Sequence, residues 1–237
     1  MRTKHQLSQI HKTLFGLFSN GILFVMLCVG NMPAARAQEA GPSTLISEGI
    51  ETQYGPLISN SLFLYASTVL DFDTQMFLDQ QNGPLKNYSE EIDGRVWTAS
   101  DSIAFNAILY GINPQILIVL LEAQGNLITK IDSDIPLRSS PIVGSTDIPN
   151  FYYYIKWLSE TGQISFNARR DYQDNSEVTF ASGESIKVPL DLNAGTYGLQ
   201  VVLAKILPID LWSYWVTGDN PIFKQTFTDW FGDSLLD

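Results

Sequence analysis

Apolar residues along this chain recur mostly at helical spacing. Asp71 stands where it can cap a short helix that carries Met76, Phe77 and Leu78 on one side. Thr98-Ala99-Ser100-Asp101 reads as a capping box, with Thr98 bonding the amide of Asp101 and Asp101 reaching back. Ile103, Ala104, Ala107 and Ile108 then follow at intervals of one helical turn. Asn113 can cap a further helix whose first residue is Pro114, where a missing amide costs nothing. Ile116 to Leu121 is apolar without a break, and Gly125 is a natural stop. A helix apolar all round is buried on all sides. This one is too short to span a bilayer, so the pattern predicts the central helix of a globular core.

Residues 132–150 contain Pro136, Pro141, Gly144 and Pro149, which predicts a long irregular loop of the kind that serves as a lid or binding loop. Phe151, Ile155 and Leu158 form the inward side of the next helix. Glu177 to Val188 alternates around Ala181-Ser182-Gly183-Glu184 and predicts a β-hairpin. Asn193 caps another helix with Leu199, Val202, Leu203 and Ile206 buried, and Asn220-Pro221 to Gly232 brackets the last. The expected fold class is mainly α: a helical domain around a buried central helix, with one small β-hairpin.

The amino terminus follows a different pattern. Arg2, Lys4 and Lys12 precede an apolar run from Leu14 to Gly30, interrupted by Ser19 and Asn20. Ala35 and Ala37 then sit three and one residues before Gln38. A basic start, an apolar middle and an Ala-x-Ala exit are the parts of a secretory signal. The expected organisation is a signal peptide at 1–37, a small polar leader at 38–47 and one domain at 48–237. Secretion or an extracytoplasmic location follows, with membrane contact only through the signal before cleavage.

Cleavage changes the chemistry available. His5, His11 and Cys28, the only histidines and the only cysteine, all precede Gln38. Removing Arg2, Lys4, Lys12 and Arg36 leaves 10 basic residues against 25 acidic ones, a formal charge of −15. So acidic a chain lacks the electrostatic footprint of nucleic-acid binding. Without Cys or His there is no disulfide framework, no conventional zinc site and no Ser-His or Cys-His nucleophile. No cofactor is expected. Carboxylates, amides, hydroxyls and aromatic rings remain, which suits sugars or plain binding.

Between Ser102 and Thr129 the sole charged side chain is Glu122, near the carboxyl end of the buried helix. Burial and the negative end of the helix dipole both favour a protonated carboxyl, the form that donates to a leaving oxygen in glycoside cleavage. The plainer alternative has Glu122 pointing into solvent at a fraying helix end. Tyr152, Tyr153 and Tyr154 beside Trp157 would suit stacking on sugar rings, or packing in the core. Asn193 serves as a ligand group or, more simply, as a helix cap. Arg169-Arg170 reads as a solvated basic pair, and Glu160 and Asp191 are candidate second carboxylates.

Asn113-Pro114, an apolar run and a polar cluster before a turn resemble the central helix of soluble lytic transglycosylases, which have the lysozyme-like fold and cut peptidoglycan glycan strands. A closer resemblance is to lysozyme-like modules that precede LytM-type zinc endopeptidase domains in some secreted bacterial proteins. It runs from about Phe72 to Trp230. It includes Glu91-Ile92-Asp93-Gly94, Trp97-Thr98-Ala99, Ile112 to Thr129, Ile155-Lys156-Trp157-Leu158, and Leu192-Asn193-Ala194-Gly195 with Leu199-Gln200. The zinc ligands of those peptidases are histidines and an aspartate, so peptidase activity is not expected here. The transglycosylase glutamate lies ten residues after the proline, and counting from Pro114 gives Gln124. Glutamine can hold a sugar by hydrogen bonds but cannot act as an acid. Glu122, two positions earlier, is about 200° around the helix and does not take over on the same face.

Three readings therefore stay open. The first is a cell-wall module binding peptidoglycan-type glycan through Gln124, Tyr152, Tyr153, Tyr154 and Asn193, with catalysis lost or weakened. The second is an active peptidoglycan glycosidase or lytic transglycosylase using Glu122. The third is an extracellular domain for a secreted protein partner.

Overall fold

The computed structural model describes residues 54–131, 150–172, 176–232 and 235. The chain divides into two units, 1–48 and 49–237, and the fold below is that of the second. The expected signal peptide, its cleavage site and the irregular loop at 132–149 lie outside the described residues.

The described residues form eight α-helices and two separate two-stranded antiparallel hairpins, so the fold is mainly α. Helix α1 spans Asn60–Phe63 and is capped by Ser59. Helix α2, Thr74–Asp79, is capped by Asp73, whose carboxylate accepts from the Met76 amide at 2.9 Å. The cap is thus Asp73 rather than Asp71, because a capping side chain reaches the amides two or three positions ahead and Asp71 lies five before Met76. Strands β1 (Ser89–Ile92) and β2 (Arg95–Thr98) form a hairpin that the hydrophobic pattern did not announce. Its turn residues Asp93 and Gly94 both have positive φ, 52° and 78°, the backbone of a type I′ turn.

Helix α3 (Ala99–Tyr110) opens on the expected capping box. Asp101 N donates to Thr98 Oγ1 at 3.0 Å, and Thr98 N donates to Asp101 Oδ2 at 3.2 Å. Helix α4 (Pro114–Gly125) is the central helix, with every residue from Ile116 to Leu121 buried. Asn113 anchors its start twice over. Its Oδ1 accepts from the Gln115 amide, while its Nδ2 donates to the carbonyl of Leu62 at 3.0 Å.

Helix α5 (Phe151–Tyr172) packs most extensively against α6 (Ala194–Ile206). Glycines permit the approach: a Cβ on Gly198 would lie 3.1 Å from both the Gly162 carbonyl oxygen and the Phe63 ring. Phe63 fills the junction and stacks on Phe166, their centroids 5.1 Å apart and planes 2° from parallel. Strands β3 (Glu177–Thr179) and β4 (Ser185–Lys187) make the expected hairpin beside α6. Helices α7 (Ile209–Val216) and α8 (Ile222–Phe231) close the domain. Trp212 of α7 is buried, its Nε1 donating to the Gln200 carbonyl at 2.9 Å. In α8, Phe223 and Phe227 are buried, and Phe231 joins a ring cluster with Phe72 and Phe77.

The basic pair departs from the sequence expectation. Arg169 is buried, its guanidinium donating to the carbonyls of Leu192 (3.2 Å) and Pro189 (2.6 Å). Arg170 is the solvated member, paired with Asp171 at 2.8 Å. Successive residues on a helix diverge by about 100°, so neighbours in sequence face different surroundings.

Candidate functional site

The richest constellation of surface side chains gathers where the β1–β2 hairpin meets the start of α5. In the hairpin register Glu90 pairs with Trp97 and Ile92 with Arg95, which puts these four side chains on one face. Glu90 acts as a cap from outside the helix. Its carboxylate accepts from the amides of Phe151 (3.2 Å) and Tyr152 (2.8 Å) and from the Tyr88 hydroxyl (2.8 Å). The positive end of the α5 dipole favours a carboxylate there. Asn150 takes a third amide, that of Tyr153, at 3.1 Å.

This clamp sets the rings. Trp97 lies 4.7 Å from Tyr152 and 5.4 Å from Phe105, centroid to centroid, and Tyr152 contacts Tyr153 at 5.3 Å. Phe105 on α3 is 43% exposed and Tyr153 39%, while Trp97 forms the buried floor. The four rings make a continuous aromatic shelf. Arg95 adds a cation, its Cζ 4.1 Å from the Trp97 ring centroid. Burial, then the neighbouring Tyr153 and Tyr110, push the Tyr152 phenol above its ordinary value, while Lys156 and Arg95 pull the other way. Lys156 itself is paired with Glu160 at 3.2 Å.

The sequence candidates fall into separate places. Tyr152 and Tyr153 lie on the shelf. Tyr154 is only 4% exposed and packs in the core against Trp157, and its hydroxyl has no hydrogen-bond partner. Burial alone pushes that phenol well above its ordinary value. Asn193 is the cap of α6: its Oδ1 accepts from the Thr196 amide and its Nδ2 donates to the Ile58 carbonyl, so both ends of the amide are used.

Glu122 closes the loop that follows α4. One carboxylate oxygen accepts from the amides of Ile128 (3.1 Å) and Thr129 (3.2 Å), the other from the Thr129 hydroxyl (2.6 Å). The plain solvent-facing alternative is therefore replaced by a clasp, in which an acceptor-only carboxylate serves three donors. Gln124 is half-buried, and both polar atoms of its amide are buried without a hydrogen-bond partner. Glu160 is taken by Lys156, and Asp191 is exposed before α6. Among the described residues no group of three His, Cys, Asp or Glu side chains is disposed to hold a metal ion. Nor is any described helix long and apolar enough to cross a membrane.

Sequence reasoning missed Glu90, Arg95, Trp97 and Phe105 as members of one surface. The available signal was Asp93-Gly94, a strong hairpin dipeptide, flanked by Ile92 and by Val96-Trp97.

The fold and this surface define a mainly α-helical module whose most developed feature is an aromatic shelf. Residues 56–236 match the family model described as the N-terminal domain of LasA, and the chain belongs to that family. The match agrees with the sequence resemblance in naming an N-terminal module. No curated protein and no solved structure matches the chain.

Proposed function

We propose that this protein is an exported, cell-wall-associated module that binds glycan of the peptidoglycan type, with catalysis lost or weakened. One observation carries the reading: the shelf on which Phe105 and Tyr153 are exposed and Tyr152 half-buried over the buried Trp97, with the Glu90 clamp holding the start of α5 against it. Sugar rings present apolar C–H faces edged by hydroxyls, and aromatic side chains with polar tips complement both. Membership of a family named for an N-terminal domain, together with the signal-like amino terminus, supports the exported setting. A distant lysozyme-like origin remains part of this proposal, resting on the motifs around α4.

The engagement of Glu122 supports the loss of catalysis. A general acid must present a proton to the leaving oxygen. Both oxygens of this carboxylate are instead turned to donors of its own chain. The position that would hold the transglycosylase glutamate carries Gln124. In this reading the shelf binds, and the α4 terminus is structural.

Co-sedimentation with purified peptidoglycan tests the proposal. Wild-type protein should pellet with the sacculi, and Tyr152→Ala/Tyr153→Ala should remain in solution while keeping its helical circular dichroism. Equal pelleting of both proteins would remove the shelf from the account. A protein-binding role is the second reading, favoured by Phe105, Ile108 and Leu109 exposed along α3. It would gain if wild-type protein failed to pellet at all.

A further inference from the structure

We infer that Arg95 makes the shelf selective for glycan carrying a carboxylate on or next to the sugar ring, and this rests on the glycan-binding reading above. Arg95 and Trp97 are two residues apart on one strand, so their side chains share a face, and the guanidinium carbon sits 4.1 Å from the indole centroid. That contact holds the cation beside the ring, and its N–H donors are not used by the described residues. Among the described residues Arg95 makes no hydrogen bond and no ion pair. A guanidinium held at the ring and otherwise unengaged offers the planar fork that grips a carboxylate with two parallel bonds.

The charges around it leave this role to Arg95. Of the nearby acids, Glu90 caps α5, Asp101 closes the α3 capping box, Glu91 lies on the opposite face of the hairpin, and Asp93 in the turn forms no ion pair with Arg95. The other cation near Tyr152 is Lys156, which Glu160 neutralises. In a chain of net charge −11, an arginine at the rim of an aromatic shelf with no ion pair among the described residues is a local reversal of sign. Rings on the shelf take the sugar face, and Arg95 takes an acid group projecting from it.

Two sources supply that chemistry: the lactyl ether carboxylate of peptidoglycan glycan strands stripped of their peptides, and the carboxylate of a uronic acid. Isothermal titration distinguishes them with three probes: peptide-free glycan strands, oligogalacturonate, and neutral N-acetylglucosamine oligomers of matched length. Wild-type protein should prefer at least one acidic probe over the neutral one by about tenfold, and about 0.5 M salt should erase most of that preference. Arg95→Gln should bring the ratio of acidic to neutral affinity close to one. Arg95→Lys, which keeps the charge but loses the fork, should give an intermediate ratio. If Arg95→Gln lowers the melting temperature markedly, Arg95→Lys and the salt dependence of the wild type decide the matter. A wild-type ratio near one, or a preference that survives in Arg95→Gln, overturns the inference and leaves glycan binding standing. Failure of wild-type protein to bind any probe or intact peptidoglycan removes the glycan reading itself.

Discussion

Replacing Glu90 should unfasten the hairpin from α5, and the structure sets the size of the effect. The side chain caps two amides at a helix start, worth about 0.5–2 kcal/mol for a typical cap. Its charge against the helix dipole adds about 0.3–1 kcal/mol. The bond from Tyr88 adds about 1 kcal/mol. Amides released by truncation regain water in part, so Glu90→Ala should cost about 2–4 kcal/mol. For a domain of this size that lowers the melting temperature by roughly 5–12 °C. Glu90→Gln keeps an acceptor but loses the charge, and should cost about half as much. Thermal unfolding followed by far-ultraviolet circular dichroism measures both. Near-ultraviolet dichroism reports whether Trp97 and Tyr152 keep their packing. A second readout comes from Tyr88, whose phenol is pushed above its ordinary value by burial first and then by Glu90. In Glu90→Ala that phenol should titrate at lower pH. Glu91→Ala, on the opposite face, is the control and should change stability by less than about 0.5 kcal/mol. If Glu90→Ala and Glu91→Ala melt within a degree of each other, the clamp does not hold the shelf.

The loop after α4 offers two further tests. A Cβ on Gly83 would run into the backbone carbonyls of Leu127 and Ile128, so Gly83→Ala should cost at least about 2 kcal/mol in urea unfolding. Gly55→Ala, with nothing within 4 Å, should be close to neutral. Glu122→Ala removes the acceptor for Ile128 and Thr129 and should destabilise by about 1–2 kcal/mol without changing peptidoglycan pelleting; a loss of pelleting in a folded variant would return Glu122 to the binding site. Alkali should unfold the protein through its buried phenols. Tyr88 and Tyr154 ionise more readily in the unfolded chain, near the ordinary value of 10.0, than in the fold. Their contribution is complete below that pH and is lost as pH rises through their folded values. Tyr154→Phe should flatten the alkaline fall in melting temperature, and an unchanged slope would contradict the assignment.

Elements defined by local chemistry were legible in the sequence. The capping box at Thr98, the Asn113-Pro114 start, the unbroken apolar run of α4 and the alternation around Gly183 each depend on residues within one turn or one hairpin. Features set by tertiary contact were not. Arg169 gives no local sign that the carbonyls of Pro189 and Leu192 will receive it. The three tyrosines could not be sorted by type, because their different fates come from the 100° step between neighbours: Tyr152 and Tyr153 reach the surface and Tyr154 turns inward. Ile108 follows the helical period yet is exposed, since α3 lacks a polar face to mark its outer side. The shelf was hidden for the same reason. It is assembled from residues 95–97, 105 and 152–153, which only the fold brings together.

Glycan binding at the shelf is tested most directly by a nuclear magnetic resonance titration of the ¹⁵N-labelled domain with peptide-free peptidoglycan glycan strands. The shifts should concentrate on the Trp97 indole and the amides of Arg95, Thr98, Phe105, Tyr152 and Tyr153, while those of Ile128 and Thr129 stay fixed. Shifts centred on Glu122 to Thr129, or none at a glycan excess that saturates sedimentation, would contradict it.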